Sequence, residues 1–311
     1  MGKLAFVFPG QGAQYVGMGK EIASEYSAGR RMFEEASDSL GYDVSKMVFD
    51  GDEQTLKITE NTQPAILTAS MACLAPILEK GINPDYVAGL SLGEYTAHVA
   101  ADTFSFADAV KIVRKRGKFM QEEVPEGVGT MAAILGLDND TVKDCCQRAS
   151  SVGVVEPANF NCPGQIVVSG EVKAVEALCN YAKESGAKRA MVLPVSAPFH
   201  CSMLEGAGNK LEAELKNIEF NNMKIPVVSN VNADLVENKN CVKDLLVKQV
   251  SNCVLWEASV KRLLELGVDN FIEIGPGKVL SGFVKKISRE VKISNVENLS
   301  TLHDMYNVFG A

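Results

Sequence analysis

A serine between two glycines, in "GLSLGEY" at residues 89–95, is the first candidate for covalent chemistry. The run before it, "PDYVAG", predicts a short apolar strand, and "GEYTAHVAA" predicts the start of a helix. In the Gly-x-Ser-x-Gly pattern, a strained strand-to-helix turn called the nucleophile elbow exposes the serine oxygen above a sheet. The alternative is that Ser91 only caps the following helix, because serine is a favoured N-cap residue. The pattern alone does not separate these two interpretations.

A serine nucleophile requires a general base, and the chain contains three histidines. His98 is on the helix predicted after Ser91, about 10 Å further along its axis, and cannot reach the serine. His303 lies in a polar C-terminal stretch with little sign of a core. His200, in "PVSAPFHCSM", follows a predicted strand and stands at the start of a helix. It is either an ordinary helix-start residue or, by elimination, the base.

One arginine falls in the apolar stripe of the helix predicted over residues 105–123. The stripe consists of Ala109, Ile112, Val113, Gly117 and Met120. Arg116 lies among them at helical spacing, so its guanidinium is expected to point inward. An inward charge must be paired, because burying it unpaired is too costly. The partner is either a carboxylate of the protein, in a structural ion pair, or the carboxylate of a substrate.

Alternating strands and helices must hold these side chains. "LAFVF" at 4–8 predicts a buried strand, and "NFIEIGPGKVLSGFVKKI" predicts another strand, a glycine turn and a helix. A helix is predicted at 61–80 with Asn61 or Thr62 as its N-cap, and Ser105 is predicted to cap the helix that bears Arg116. This order is typical of an α/β protein with a mainly parallel sheet and helices on both faces.

The middle of the chain has a different pattern. Residues 127–195 predict the order strand, helix, strand, strand, helix, strand, which is the ferredoxin-like α+β unit. We therefore expect a small domain at 127–195, inserted into a large α/β domain formed by residues 1–126 and 196–311. A site is expected in the cleft between the two.

Composition and spacing exclude several functions. The formal net charge of −8 over 311 residues argues against a nucleic-acid partner, and no apolar stretch reaches the length of a membrane span. The eight cysteines lack zinc or redox spacing and indicate a reduced, cytoplasmic protein. That spacing also predicts no structural metal. "FPGQGAQ" and "GPGKV" lack the full spacing of nucleotide-binding loops, so we expect no cofactor. We also expect a monomer.

Seven motifs, in order, resemble one family. They are "FPGQGAQ", "TQPA", "GLSLGEY", "VRKRGKFMQ", "PANFNCPGQIVVSG", "APFHCSM" and "EIGPGKVL", and the match around them runs from about residue 4 to 287. Together they are similar to the malonyl-CoA:acyl carrier protein transacylases of bacterial fatty-acid synthesis. The resemblance implies an α/β-hydrolase-like large domain with a ferredoxin-like insert. It also implies malonyl transfer from malonyl-CoA to the phosphopantetheine thiol of holo-acyl carrier protein, through a malonyl-serine intermediate.

The resemblance also implies residue roles. Ser91 would be the acylated nucleophile and His200 its general base and acid. Gln11 and the backbone N–H of Leu92 would form the oxyanion hole, and Arg116 would bind the malonyl carboxylate.

Further positions follow from the same resemblance. The backbone carbonyl of Gln249 would orient the histidine. Asn159, Asn161 and Gln165 would line the channel for the pantetheine arm. Phe199, directly before the histidine, is more similar to malonyl-selective than to methylmalonyl-selective relatives.

Two departures from the family pattern stand out. Leu90 occupies the position before the nucleophile where the family usually has histidine, and Cys253 stands where a proline is common.

Because the expected carrier is acidic, a local basic surface should bind it. The candidates are Lys188, Arg189, Lys285, Lys286 and Arg289, and scattered solvated charges are the alternative.

Two other functions remain open from the sequence. A serine esterase or thioesterase would share Ser91 and His200 but would have no use for an inward Arg116. A non-catalytic module that only binds carrier proteins would form no covalent adduct with malonyl-CoA.

Overall fold

The computed structural model describes residues 2–195 and 197–309 of the chain. The strands are β1 (Lys3–Phe8), β2 (Tyr86–Gly89), β3 (Gly129–Leu135), β4 (Val155–Cys162), β5 (Gln165–Glu171), β6 (Arg189–Val192), β7 (Val227–Val228), β8 (Val268–Ile274) and β9 (Lys292–Val296). The helices of the first half are α1 (Lys20–Glu25), α2 (Ser27–Leu40), α3 (Val44–Asp50), α4 (Glu53–Lys57), α5 (Thr59–Glu79), α6 (Leu92–Ala100), α7 (Phe106–Glu123) and α8 (Asn139–Ala149). Those of the second half are α9 (Val172–Glu184), α10 (Glu205–Leu215), α11 (Lys239–Ser251), α12 (Trp256–Glu265), α13 (Val279–Ile287) and α14 (Leu299–Phe309).

A five-stranded parallel sheet forms the larger part of the protein. Its strand order is β7-β2-β1-β8-β9, and all neighbours run parallel. The central strand β1 is a continuous apolar run buried from Leu4 to Phe8, as expected for a strand covered on both faces. The predicted α/β class with a mainly parallel sheet is confirmed.

A separate four-stranded antiparallel sheet has the order β4-β5-β3-β6. Helices α8 and α9 cover one face, and their apolar side chains pack with those of β3 and β5 in a second core. The chain order β3-α8-β4-β5-α9-β6 confirms the ferredoxin-like prediction. These elements extend from Gly129 to Val192. The exact domain boundaries stay a prediction, and Ser196, where the large domain was predicted to resume, lies outside the described residues, as do Met1, Gly310 and Ala311.

The prediction for the start of α5 is wrong. The helix begins at Thr59, and its N-cap residue is Ile58, whose side chain makes no capping hydrogen bond. Helix α4 ends immediately before it, and its carbonyl groups need donors. Asn61 Nδ2 donates to Thr55 O at 3.0 Å and Thr62 Oγ1 donates to Leu56 O at 2.6 Å, so both side chains serve the preceding helix.

Two further predictions concern the helices. Ser105 caps α7 as predicted, because its Oγ accepts from the Asp108 N–H at 3.0 Å. Within the two described ranges, no helix combines the length and the apolar character needed to cross a bilayer.

Candidate active site

Ser91 lies on a sharp turn between strand β2 and helix α6. Its backbone has φ 54° and ψ −106°, and its side chain makes no capping hydrogen bond. A Cβ atom on Gly89 would lie 1.9 Å from the carbonyl carbon of Gly93, and one on Gly93 would lie 2.1 Å from Phe8 O. Both glycines are therefore required for the strand and the helix to approach this closely. The turn has the geometry of a nucleophile elbow, and the capping alternative is wrong.

His200 contacts this serine directly. Its Nε2 lies 2.7 Å from Ser91 Oγ, and its Nδ1 lies 2.8 Å from the backbone oxygen of Gln249. A carbonyl oxygen only accepts, so Nδ1 carries the proton and Nε2 is free to accept from the serine hydroxyl. Burial, together with the nearby charge of Arg116, lowers the pKa of His200 to about 3. The imidazole is therefore neutral near pH 7 and able to take a proton.

The backbone carbonyl of Gln249 is free to accept a hydrogen bond from His200 because it lies in the last turn of a helix. Gln249 is in the last turn of α11, which ends at Ser251. Carbonyl groups in the last turn of a helix have no intrahelical donor. The Gln249 oxygen can therefore accept from the imidazole, in the position where other serine enzymes place a carboxylate.

Arg116 lies directly beside Ser91 and is only 1% exposed. Nη2 donates to Ser91 Oγ at 3.1 Å and to Gln249 Oε1 at 2.9 Å, while Nη1 donates to Gln63 Oε1 at 2.9 Å. The guanidinium carbon lies 5.2 Å from the ring centroid of Tyr95. All these partners are neutral, and across residues 2–195 and 197–309 no carboxylate forms an ion pair with Arg116. The structural ion pair considered from the sequence is absent there.

A network behind the serine was not predicted from the sequence. The backbone N–H of Ser91 donates to Asn230 Oδ1 at 2.6 Å, and Asn230 Nδ2 donates to Gly89 O at 2.7 Å. On the other side, Gln249 Nε2 donates to Ser91 O at 3.0 Å and to Glu94 Oε2 at 2.5 Å. These contacts hold the strained turn in place from both sides. Glu94 lies within the "GLSLGEY" motif, but nothing local in the sequence points to Asn230.

The two predicted oxyanion-hole groups lie close to the same turn. Leu92 is the first residue of α6, where backbone N–H groups have no intrahelical acceptor. Gln11 is half-buried, and its Nε2 donates to Thr59 Oγ1 at 3.4 Å. A Cβ on the neighbouring Gly10 would lie 2.5 Å from the carbonyl oxygen of Leu90, so the loop bearing Gln11 packs against the residue before Ser91.

The residues predicted to line a channel lie on the antiparallel sheet. Asn159 and Asn161 are buried on β4, and Gln165 begins β5, where its Oε1 accepts from Lys286 Nζ at 3.1 Å. In the described part of the chain, no hydrogen bond joins these three to Ser91, His200 or Arg116. Their role stays a prediction.

The segment after Gln249 runs beside β4. The N–H of Val254 donates to Ala158 O at 2.8 Å and the N–H of Phe160 donates to Val254 O at 3.0 Å. Cys253, the second departure from the family pattern, precedes this bridge and is half-buried. Cysteine in place of proline at this half-buried position therefore does not prevent a regular path of the backbone here.

A carboxylate of the antiparallel sheet holds the loop that carries His200. Glu156 on β4 accepts from the backbone N–H of Ser202 at 2.9 Å and from its Oγ at 2.7 Å.

The other two histidines do not contact Ser91: His98 is buried with Nδ1 3.1 Å from Thr103 Oγ1, and His303 is exposed. Among the residues that the structure describes, no group of three His, Cys, Asp or Glu side chains could hold a metal ion.

Fold and site together define the class of this protein. Residues 5–305 match the acyl transferase domain family. The chain is 48% identical over 303 residues to the malonyl CoA-acyl carrier protein transacylase of Bacillus subtilis (strain 168), covering 97% of this chain and 96% of that protein. It therefore belongs to the malonyl CoA-acyl carrier protein transacylase family.

Solved structures agree with this assignment. The malonyl CoA-acyl carrier protein transacylase of Clostridium perfringens has a TM-score of 0.97 at 46% identity, with 99% of this chain and 97% of that chain covered. A malonyl-transacylase in complex with its type II PKS acyl-carrier protein has a TM-score of 0.96 at 41% identity, with 99% and 100% covered. The similarity thus extends over both sheets.

Proposed function

We propose that this chain transfers the malonyl group of malonyl-CoA to the phosphopantetheine thiol of acyl carrier protein, through a malonyl ester of Ser91. The observation that carries the proposal is the guanidinium of Arg116, buried 3.1 Å from Ser91 Oγ without a carboxylate partner in the described residues. A buried cation in this position suits an acyl group that brings its own carboxylate. A simple esterase has no use for it.

The first half of the reaction forms the acyl-enzyme. His200 Nε2 takes the proton of the Ser91 hydroxyl as Oγ attacks the thioester carbonyl carbon. The negative charge on the tetrahedral oxygen is stabilised by the Leu92 N–H and the Gln11 side chain. When the carbon–sulfur bond breaks, His200 returns the proton to the leaving thiolate, and coenzyme A departs.

The second half reverses these roles. The phosphopantetheine thiol of the carrier gives its proton to His200 Nε2, and its sulfur attacks the ester carbonyl carbon. The same oxyanion hole acts on the second tetrahedral intermediate. The carbon–oxygen bond to Ser91 breaks, and His200 protonates Oγ. This is ping-pong acyl transfer.

Arg116 selects the acyl group in this proposal. Gln63 and Gln249 accept hydrogen bonds from the planar guanidinium and fix its orientation, so its outer edge can donate two parallel hydrogen bonds to a carboxylate. The hydrogen bond from Nη2 to Ser91 Oγ is released when that oxygen becomes an ester. Asn159, Asn161 and Gln165 are proposed to contact the pantetheine arm, since they lie on the sheet whose strand β4 is joined to the His200 loop.

We further propose a cytoplasmic monomer without nucleic-acid or membrane partners. The eight cysteines, all free, support a reducing compartment. The net charge of −8 supports the absence of a nucleic-acid partner.

Intact mass spectrometry tests the proposal. Malonyl-CoA is supplied without an acceptor, and the peptide containing Ser91 is analysed. A single malonyl increment, absent from Ser91→Ala, with release of about one equivalent of coenzyme A, is the expected result. Continued release would indicate a thioesterase, and no adduct would indicate a module that only binds the carrier.

A further inference from the structure

A buried carboxylate lies behind the site and is not used in the reaction described above. Glu94, on the first turn of α6, is 0% exposed. Its Oε2 accepts from the Asn230 N–H at 3.2 Å and from Gln249 Nε2 at 2.5 Å, and its Oε1 has no partner in the described residues. No Lys or Arg lies within ion-pair distance of it there. A buried carboxylate without a cation is costly, so its position here requires a reason.

Glu94 contacts the backbone N–H of Asn230 and the side chain of Gln249, and the side chains of both these residues hold the main chain of Ser91. Asn230 Oδ1 accepts from the Ser91 N–H, and Gln249 Nε2 donates to the Ser91 carbonyl oxygen. The Glu94 N–H donates to the same carbonyl oxygen at 3.0 Å. The carboxylate therefore organises the groups that hold a serine with a positive φ in place.

Glu94 is also connected to Arg116 through one amide group. Gln249 Oε1 accepts from Arg116 Nη2 at 2.9 Å, while Nε2 of the same amide donates to Glu94. In this orientation the amide places its negative end against the cation and its positive end against the anion. A flipped amide would place NH₂ against the guanidinium and oxygen against the carboxylate. The two charges thus fix the orientation of Gln249, and neither contacts the other.

We propose that Glu94 is a positioning residue that acts through Gln249. Its negative charge, one amide group away from Arg116, weakens the binding of the malonyl carboxylate by Arg116. A carboxylate in direct contact would occupy the guanidinium and exclude the substrate. One amide further away, it leaves the outer edge of Arg116 open and still reduces its positive potential. The malonyl group can then leave with the carrier. The proposal rests on the proposed function, in which Arg116 binds that carboxylate.

The charge state of Glu94 sets the conditions of the test. Burial raises the pKa of Glu94 to about 7, and the donors from Gln249 and Asn230 and the charge of Arg116 act in the opposite direction. Kinetics are therefore measured at about pH 8, where most of the carboxylate is ionised.

Glu94→Gln separates charge from shape. The amide oxygen can still accept from Asn230 and Gln249, but the negative charge is lost. Because Arg116 then holds the malonyl carboxylate more tightly in the ground state, both KM for malonyl-CoA and kcat of malonyl transfer should fall, each by roughly 3–10-fold. Constants for acetyl-CoA, which has no carboxylate, should change less than about 2-fold by the same reasoning.

Asn230→Ala is the matched control. It removes a hydrogen bond to Ser91 without a change of charge, so it should lower kcat for malonyl-CoA and acetyl-CoA alike. Equal losses for both donors in Glu94→Gln, or a raised KM for malonyl-CoA, would overturn the counter-charge role.

Two further measurements keep the result interpretable. If Glu94→Gln does not fold by circular dichroism, Glu94→Asp replaces it, and this variant should keep the wild-type ratio of malonyl to acetyl transfer even when both are slower. A changed ratio in the aspartate variant would contradict the proposal. Failure of the proposed function itself is recognised separately, because the wild-type protein would then form no malonyl adduct at Ser91.

Discussion

The guanidinium of Arg116 donates a hydrogen bond to the oxygen of Ser91, with 3.1 Å between Nη2 and Oγ. The buried cation thus directly contacts the serine that we propose as the nucleophile. The carboxylate bound by this guanidinium would lie beside the serine ester, as it does in a malonyl group, whose carboxylate is one methylene from the reacting carbonyl. The spacing supports selection of a short dicarboxylic acyl chain.

Arg116→Ala should invert the donor preference. Without the guanidinium, the malonyl carboxylate is desolvated and unpaired, which costs about 3–5 kcal/mol. At about 1.4 kcal/mol per tenfold, kcat/KM for malonyl-CoA should fall by roughly two to three and a half orders of magnitude. Slow acetyl transfer should be spared, and Arg116→Lys should restore malonyl transfer only in part. Equal losses for both donors in a folded variant would falsify the carboxylate-binding role.

Gln63→Glu should block the carboxylate site from inside the protein. Gln63 Oε1 accepts from Arg116 Nη1 at 2.9 Å, so a glutamate there would form an ion pair with the guanidinium. We expect KM for malonyl-CoA to rise about 10–100-fold, while acetyl transfer stays within about 3-fold. Gln63→Leu is the control, because it removes the acceptor without adding charge. Steady-state kinetics with an unchanged KM in the glutamate variant would contradict this prediction.

Gly93→Ala should disrupt the turn that carries Ser91. The added Cβ would lie 2.1 Å from Phe8 O, so the strand and the helix must separate. We expect a loss of about 1–3 kcal/mol or more in the free energy of unfolding, and no acylation. Gly282, on α13, has no heavy atom within 4 Å of such a Cβ, so Gly282→Ala should stabilise the protein by about 0.5–1 kcal/mol. Urea unfolding that shows similar effects for both would refute the argument.

His98 should make folding stability depend on pH. Burial lowers its pKa to about 3 from the usual 6.5, so below pH 6.5 the unfolded chain binds a proton that the native state excludes. The stability is fully present above pH 6.5 and is lost as the pH falls toward 3. Relative to His98→Asn, the wild-type free energy of unfolding should fall by about 2–3 kcal/mol between pH 7 and pH 4.5.

The comparison of variants isolates this one group. His200 and Glu94 also have shifted pKa values, but both are present in each protein and their contributions cancel. A difference between wild type and His98→Asn that does not change with pH in urea titrations would show that His98 is not excluded from protonation.

Charge reversal in the predicted basic surface should change KM for acyl carrier protein and not KM for malonyl-CoA. Lys285 and Lys286 are exposed on α13, and Lys286 Nζ reaches Gln165 Oε1 on the antiparallel sheet. Reversing both charges should raise KM for acyl carrier protein several-fold, roughly 5–50-fold at low salt, and leave KM for malonyl-CoA unchanged. Lys111→Glu, a single charge reversal at an exposed residue of α7, serves as the control for a general effect of added negative charge. An unchanged carrier KM in the double variant would exclude this surface.

Local patterns in the sequence were sufficient for part of the site. The glycines around Ser91 predicted the turn, and the helical period of α7 predicted that Arg116 points inward. His200 followed by elimination because the chain has so few histidines. In each case the signal lies within a few residues of the side chain concerned.

The remaining contacts join distant parts of the chain. Asn230 meets Ser91 across 139 positions, and Gln249 meets it across 158. A buried asparagine or glutamine has no periodic signature, so only the tertiary fold reveals what it binds. The start of α5 was missed for a similar reason: its first side chains serve α4, and local capping rules do not include that neighbour.

The contact of Glu156 with Ser202 has a consequence for folding kinetics. The loop that carries His200 is held by the antiparallel sheet, and Ser91, which His200 contacts, follows a strand of the parallel sheet, 109 positions away in sequence. Contacts of such high sequence separation form late, because loop-closure entropy opposes them until both ends are ordered. In a chain in which only one sheet has formed, Ser91 would have no base beside it, and we expect such a chain not to consume malonyl-CoA. Acyl transfer is expected only after both sheets have assembled.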